Sequence, residues 1–169
     1  MPTAHDLVRQ ARAIHEAGHA VVAVHHRARL KSARLPTDGQ GQVELFEFPP
    51  IGPDAEIALA GQEAVRMFMP EGTAYVSDAA DYRPLLLEVL SSETWHVLRA
   101  NVQQVLRERE AAVRAVAEAL LRHEVLPGHT IKAIVEREEQ RERAVVRGVQ
   151  ELATGLQTLR RKAGLLGVR

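Results

Sequence analysis

No cysteine occurs among the 169 residues of this chain, and that absence limits the chemistry available to it. Disulfides, thiolate metal ligands and a cysteine nucleophile are all excluded. Any transition metal bound here must be held by nitrogen and oxygen donors, so histidine and carboxylate side chains are the only strong ligands left.

Aromatic residues are also scarce, with three Phe, two Tyr and one Trp. Hydrophobic residues make up 46% of the chain, which is enough to form a core, but Ala, Val, Leu and Ile must build it. Helices are the natural way to pack such residues. We therefore expect a mainly α fold.

Net charge and long apolar runs are missing as well. The 22 Lys and Arg residues balance the 22 Asp and Glu residues, so no overall field attracts nucleic acid, and we expect no nucleic-acid partner. Charged residues interrupt the first thirty positions, and no window of eighteen apolar residues would span a bilayer. These features favour a soluble, cytoplasmic protein without a membrane span, and the excess of Arg over Lys indicates a bacterial genome.

Hydrophobic spacing organises the first half of the chain. Apolar residues three or four positions apart predict a first helix from Asp6 to about His25. The stretches from Lys31 to Leu35 and from Gln42 to Phe48 flank a turn rich in Gly and predict a short β-hairpin. Pro53 suits the first turn of a second helix that runs to about Met69.

The second half is predicted to be helical as well. Ser77 is a candidate N-cap for a helix that begins at Asp78, and Pro84 is expected to kink or divide it. The spacing from Glu93 to about Val125 predicts one continuous helix, ended by a loop at residues 126–128. A long C-terminal helix follows from Thr130.

The last part of the chain has a different pattern from the rest. After a charged stretch, apolar residues recur at steps of four and three, which is typical of a coiled-coil seam. We therefore assign residues 1–136 to a domain and residues 137–169 to an amphipathic helix that serves homo-oligomerisation or partner binding. The predicted seam consists of Val145, Val149, Leu152, Leu156 and Leu159.

An H-E-x-x-H motif lies inside the first predicted helix, as His15-Glu16-Ala17-Gly18-His19. Histidines four residues apart on a helix are separated by about 40° around the axis and roughly 6 Å along it, so both reach one Zn²⁺ at about 2.0–2.1 Å. Glu16 lies beside the remaining coordination position, where a carboxylate takes a proton from zinc-bound water and passes it to a leaving amine. The motif predicts a zinc hydrolase, and the alternative is two ordinary histidines.

A third protein ligand must come from elsewhere in the chain. His25 lies six residues after His19, as in the longer H-E-x-x-H-x-x-G-x-x-H motif, but Val22 stands where that motif has its Gly. On a continuous helix His25 would lie about 240° around from His19 and out of reach. Carboxylates on later helices remain as candidates, and they are Glu56, Glu63, Asp78 and Asp81.

The segment from Ala13 to Val22 resembles the zinc helix of the FtsH-type AAA+ metalloproteases, which carries H-E-A-G-H-A. The stretch from Leu59 to Ala64 resembles that family's helix with G-R-A-A-E, and Ser77 to Asp81 falls where its zinc-binding Asp opens a helix. The segment from Leu120 to Gly128 resembles its closing helix and turn. The resemblance covers residues 10–136.

This resemblance implies a helical zinc-peptidase domain with His15 and His19 as zinc ligands, Glu16 as general base and Asp81 as third ligand. If Ser77 is the N-cap, the helix terminus already gives Asp78 a structural role, which also favours Asp81. The chain departs from the family in its shorter linker after the zinc helix and in having Val-Ser-Asp in place of T-G-A. It also has no G-x-x-x-x-G-K-[ST] loop, so it carries no ATPase of its own.

We therefore expect an ATP-independent zinc metalloendopeptidase that acts on peptides or unfolded proteins. An ATPase acting in trans is the partner that the family resemblance implies. The alternative function is a catalytically inactive FtsH-like interaction module that binds a partner through its C-terminal helix. A third interpretation is hydrolysis of a small amide.

Overall fold

Five helices and a three-stranded sheet form the part of the chain that the computed structural model describes, residues 3–37, 41–47, 51–76 and 91–165. The side chains of residues 51, 52, 92 and 158–165 are outside this description. A 3-10 helix spans Pro70–Tyr75. The helices are α1 (Ala4–His25), α2 (Ile51–Phe68), α3 (Ser92–Glu108), α4 (Glu110–His123) and α5 (Gly128–Leu165), and the strands are β1 (Leu30–Arg34), β2 (Gln42–Leu45) and β3 (Val125–Pro127).

The expected fold class is confirmed: the fold is mainly helical, with a small sheet after the first helix and a long C-terminal helix. The predicted hairpin is formed by β1 and β2, which pair antiparallel with Ala33 opposite Val43. A third strand was not predicted. Strand β3 pairs with the other edge of β1, where Leu126 lies opposite Ala33.

The predicted loop at residues 126–128 is wrong, because this segment is the end of β3 and the start of α5. Glu124 ends α4 in the left-handed conformation, with φ 57° and ψ −28°, and this residue turns the chain toward the sheet. Pro127 is tolerated because β3 is an edge strand, where a missing N–H donor need not interrupt the pairing.

The single helix predicted from Glu93 to about Val125 is also wrong. The chain breaks at Arg109, whose φ of −126° and ψ of 24° are not helical, so α3 ends before this residue and α4 begins after it. Helix α3 packs on α2, whereas α4 packs mainly on α1. The hydrophobic spacing is helical on both sides of Arg109 and so did not reveal the break.

Helix α1 is the central element of the domain. Thr3 and Asp6 form a capping box at its start, with the Asp6 N–H donating to Thr3 Oγ1 at 3.2 Å and the Thr3 N–H donating to Asp6 Oδ2 at 2.9 Å. Every residue from Ala13 to Ala23 is buried. Because the helix is covered on all sides there, polar groups within this segment are held away from bulk water.

Gly18 allows α1 and α2 to approach closely. A Cβ atom at this position would lie 2.7 Å from the Ala60 carbonyl oxygen and 2.7 Å from the Ala64 Cβ. Both distances are shorter than normal van der Waals contacts, so a side chain at residue 18 would push the helices apart. The small side chains of α2 complete this contact, which brings the α2 backbone next to the histidines of α1.

The core has the composition expected from the scarcity of aromatics. Its largest fully buried side chains are Leu, Ile and Val residues together with one glutamate, Glu63. Within the described ranges, no helix has both the length and the apolar character that a membrane crossing requires.

We expect Gly18→Ala to destabilise the domain by about 1–3 kcal/mol, because the added methyl overpacks the α1–α2 contact. This loss would appear although Ala is the better helix former by about 1 kcal/mol. Gln104→Ala is the control, since it places an alanine at an exposed position of α3 where no packing contact is added. Urea denaturation measures both effects, and equal or increased stability of the Gly18 variant would contradict the close approach.

Candidate metal centre

The two histidines of the H-E-x-x-H motif converge on one point of the buried half of α1. Their Nε2 atoms lie 2.9 Å apart, and the ring centroids are 4.5 Å apart in an edge-on arrangement. Two nitrogen ligands of one tetrahedral Zn²⁺ lie roughly 3.3 Å apart. The imidazoles of His15 and His19 therefore need to move only a few tenths of an ångström to share a cation.

The His19 imidazole is oriented by the backbone of α2. Its Nδ1 lies 2.6 Å from the carbonyl oxygen of Ile57, which only accepts hydrogen bonds, so Nδ1 carries the proton. In the neutral ring this leaves the lone pair on Nε2, the atom that faces His15. Metal-binding histidines commonly use such a hydrogen bond to fix both the tautomer and the ring orientation.

The His15 imidazole is neutral throughout the physiological range. Burial disfavours its charged form and, with a smaller contribution from His19, lowers the pKa of His15 to about 2. Its side chain is only 7% exposed. A metal ligand must come from the neutral imidazole, and the burial of His15 favours this form over the imidazolium near neutral pH.

Gly61 keeps the space beside both ring nitrogens free of any side chain. A Cβ atom at residue 61 would lie 2.8 Å from both Nε2 and Cε1 of His15, and it would be closer still to Nε2 of His19. The α2 backbone thus passes directly over the two donor atoms without covering them. The two imidazole nitrogens are donors that zinc prefers, and only a glycine lets the α2 backbone come this close to them.

Glu16 lies next to the histidines and under the sheet. Its side chain is buried, with 5% exposure, and a Cβ at Gly41 would lie 2.5 Å from the Glu16 Cδ and closer to Oε1. Gly41 directly precedes β2, so the start of this strand approaches the Glu16 carboxylate. The buried half of α1 therefore carries two imidazoles that face α2 and one carboxylate that faces the residue before β2.

Glu63, one of the candidate third ligands, serves a different purpose. Its fully buried carboxylate accepts hydrogen bonds from Arg66 at 2.6 Å, Arg99 at 3.0 Å and Gln103 at 2.7 Å. Burial by itself raises the pKa of Glu63, but these donors outweigh it and hold the pKa below its ordinary value. The cluster ties α2 to α3, which is a structural role.

Glu56 is also committed to contacts between helices. Its carboxylate lies 2.6 Å from Nε2 of His26 and accepts a hydrogen bond from Asn101 Nδ2 at 3.3 Å. His25 packs edge-on against the ring of His26, with centroids 4.9 Å apart. In the part of the chain that the structure describes, no group of three or more His, Cys, Asp or Glu side chains is placed to hold a metal.

Asp78 and Asp81, together with the predicted N-cap Ser77, lie outside the described residues. The assignment of Asp81 as third ligand therefore stays a prediction. Two contributions to the site were not predicted from the sequence, the Ile57 carbonyl and the bare backbone at Gly61. A glycine inside a helix is the one signal that pointed to the second, because such a residue is unfavourable there without a packing reason.

The chain matches no protein-family model and no curated protein. The description of this site therefore depends on its own geometry.

Replacing Gly61 by Ala is expected to weaken zinc binding by at least about tenfold, because the methyl group would occupy the space beside both Nε2 atoms. Gln62→Ala is the control, since the next residue of a helix points about 100° away. Competition with a chromogenic chelator measures the affinity, and circular dichroism shows whether each variant is folded. A folded Gly61 variant with unchanged zinc affinity would show that the metal does not occupy this space.

Proposed function

We propose that this chain is a zinc-dependent metallopeptidase that hydrolyses peptide bonds in peptides or unfolded proteins. The observation that carries the proposal is the 2.9 Å separation of the His15 and His19 Nε2 atoms beside the buried Glu16. Two nitrogen donors and one carboxylate are the residue types that this hydrolysis uses, and they stand at the sequence spacing of the H-E-x-x-H motif.

Each residue has a separate role in the proposed reaction. His15, His19 and Asp81 would hold the metal. When bound, Zn²⁺ supplies Lewis acidity, which polarises the peptide carbonyl and makes water a stronger acid. The carboxylate of Glu16 accepts a proton from the attacking water, whose oxygen bonds to the carbonyl carbon. As the C–N bond breaks, Glu16 returns this proton to the leaving nitrogen.

The position of Glu16 suits this role. Burial in α1 and the nearby backbone of Gly41 keep bulk water from the carboxylate, so interactions with developing charge are stronger than they would be at the surface. The adjacent imidazoles are oriented by contacts that exist before substrate arrives. Preorganisation of this kind lowers the cost of reaching the transition state.

The absence of a phosphate-binding loop limits the substrates proposed for the chain alone. Without an ATPase it has no means of unfolding a folded protein, so we propose short peptides and unfolded chains as substrates. An ATPase acting in trans would extend this range to folded proteins.

A second candidate function is a catalytically inactive interaction module. It is favoured by the exposed apolar residues of α5, which include Val145, Val149 and Leu152. A zinc site that only stabilised the fold would not need a base beside its ligands, and Glu16 therefore favours the peptidase. The two proposals differ in whether the zinc-loaded protein cleaves a substrate.

The purified chain is expected to bind about one Zn²⁺, and His15→Ala or His19→Ala should abolish stoichiometric binding, because one of three protein ligands is lost. Glu16→Gln keeps the shape of the side chain but not its basicity, so zinc should remain while casein hydrolysis falls by at least about 10²-fold. Metal analysis and a chelator-controlled casein assay measure the two quantities. Zinc-loaded wild-type protein without cleavage would favour the interaction module, and full activity of the Glu16 variant would remove this residue as the base.

Asp81→Asn is expected to weaken zinc binding strongly, whereas Asp78→Asn should weaken it only modestly. An amide is a much poorer zinc ligand than a carboxylate, so the substitution matters most at the residue that binds the metal, which we propose is Asp81. Both variants change the same functional group three residues apart, so each serves as the control for the other. Chelator competition ranks the two affinities, and the reverse order would assign the third ligand to Asp78.

A further inference from the structure

One stripe of α5 is covered by the domain in its first half and exposed in its second. Ile131 and Val135 are 0% and 1% exposed, and Glu138, three positions further along the same stripe, is 7% exposed. Helix α5 contacts α4, β1 and α1. Positions three or four residues apart continue this stripe along the helix to Val145, Val149, Leu152 and Leu156. These four residues are exposed, at 66%, 60%, 70% and 63%.

The described part of this helix beyond Glu139 has almost no cover from its own domain. Residues 140–157 are exposed, except for the half-buried Gly148. Cβ atoms at Gly148 and Gly155 would meet nothing within 4 Å. Single exposed apolar residues are common on protein surfaces, but four large ones in one continuous stripe indicate a surface that another chain covers.

We propose that this stripe packs against the same stripe of a second copy of the chain, in an antiparallel pair of helices. The steps of three and four are those of a coiled-coil seam. In the antiparallel register that pairs the seam positions, Val149 lies opposite Leu152 of the second copy and Val145 lies opposite its Leu156. This register is centred between residues 150 and 151.

The length of α5 beyond the part that the domain covers fits this register. From Glu138 to the helix end at Leu165 there are 28 residues, which span about 40 Å. The midpoint of this span lies one residue from the centre of the register. Two copies would therefore overlap along the whole exposed stripe, and each helix would end where the domain of the other copy begins.

A parallel pair is disfavoured by the position of the domain and by charge. The domain covers the first half of the same stripe. In a parallel pair the first halves of the two helices lie at the same end, so the two domains would occupy the same space between the helices. Glu142, which is exposed and lies on the stripe, would also face its own copy. In the antiparallel register residue 142 lies opposite Leu159 of the second copy, directly before the sequence positions Arg160, Arg161 and Lys162.

The residues beside the stripe favour a second copy over a different protein. Coiled coils select foreign partners largely through charged residues that flank the seam. Here the flanking positions along the exposed apolar part are Val146, Gly148, Ala153 and Gly155, which are small or uncharged. The antiparallel register places Gly148 opposite Gly155 and Val146 opposite Ala153, so each flank meets a small residue of the other copy.

Sedimentation equilibrium of the full chain over about 1–100 µM tests the assembly. The expected mass is twice the 18.7 kDa of one chain. Leu152→Glu should weaken the dimer by at least about 100-fold, because it places a carboxylate in the apolar seam. Thr154→Glu, on the outer face of the same helix, should leave it unchanged. Circular dichroism reports on folding, and since both sites are exposed, both variants should stay folded.

Disulfide formation tests the orientation, and the absence of native cysteine makes the result unambiguous. A mixture of Val145→Cys and Leu156→Cys proteins should form mainly the mixed disulfide under mild oxidation, because antiparallel packing brings these two positions together. Mass spectrometry distinguishes it from the two symmetric products. Thr154→Cys is the control that should not cross-link.

Three outcomes would overturn the proposal. Symmetric disulfides in place of the mixed one would show parallel packing, and a monomer at every concentration would remove the dimer. A monomer that sediments with vesicles of phosphatidylcholine and phosphatidylglycerol would assign the stripe to a lipid surface instead. None of these measurements depends on peptidase activity, so the dimer and the proposed function fail independently.

Discussion

The close approach of α1 and α2 determines the geometry of the whole site. Each helix presents a glycine to the other, Gly18 of α1 against Ala60 and Ala64, and Gly61 of α2 against the two imidazoles. A side chain at either position would separate the helices. The hydrogen bond between Ile57 and His19 depends on the same approach, since it joins the α2 backbone to an α1 side chain over 2.6 Å.

Burial and hydrogen bonding then set the chemical state of the polar residues in this interface. His15 is kept neutral because its burial disfavours the imidazolium, whereas Glu63 is kept ionised because three donors compensate for its burial. The two groups lie on neighbouring helices and have opposite requirements, and the structure meets both. Glu63 holds α2 against α3, and α2 in turn carries Gly61 to the imidazoles, so a buried charge supports the site without taking part in it.

The sequence predicted most of the local structure around the motif. The spacing of apolar residues located α1, and the placement of His15, Glu16 and His19 inside that helix was sufficient to expect their convergence. The break at Arg109 and the strand β3 were not predictable in the same way. Both depend on which earlier element the segment packs against, and hydrophobic periodicity contains no information about that choice.

The contribution of Gly61 shows a similar limit. Its sequence neighbourhood marked α2 as a helix with small residues, but only the packed structure shows that the missing side chain faces two ring nitrogens. Glu56 and Glu63 were reasonable third ligands from the sequence, because a carboxylate on a later helix was expected. Their engagement with His26 and with the arginines of α2 and α3 became visible only when the helices were assembled.

X-ray absorption at the zinc edge of the reconstituted protein tests the central claim most directly, because it reports on the ligands of the bound metal. The expected spectrum shows four nitrogen or oxygen neighbours at about 2.0–2.1 Å with the multiple scattering of two imidazole rings. His19→Ala should hold no stoichiometric zinc and so should not give this imidazole pattern. A spectrum with oxygen neighbours alone and no imidazole scattering would contradict the account, since the metal would then be bound elsewhere on the chain.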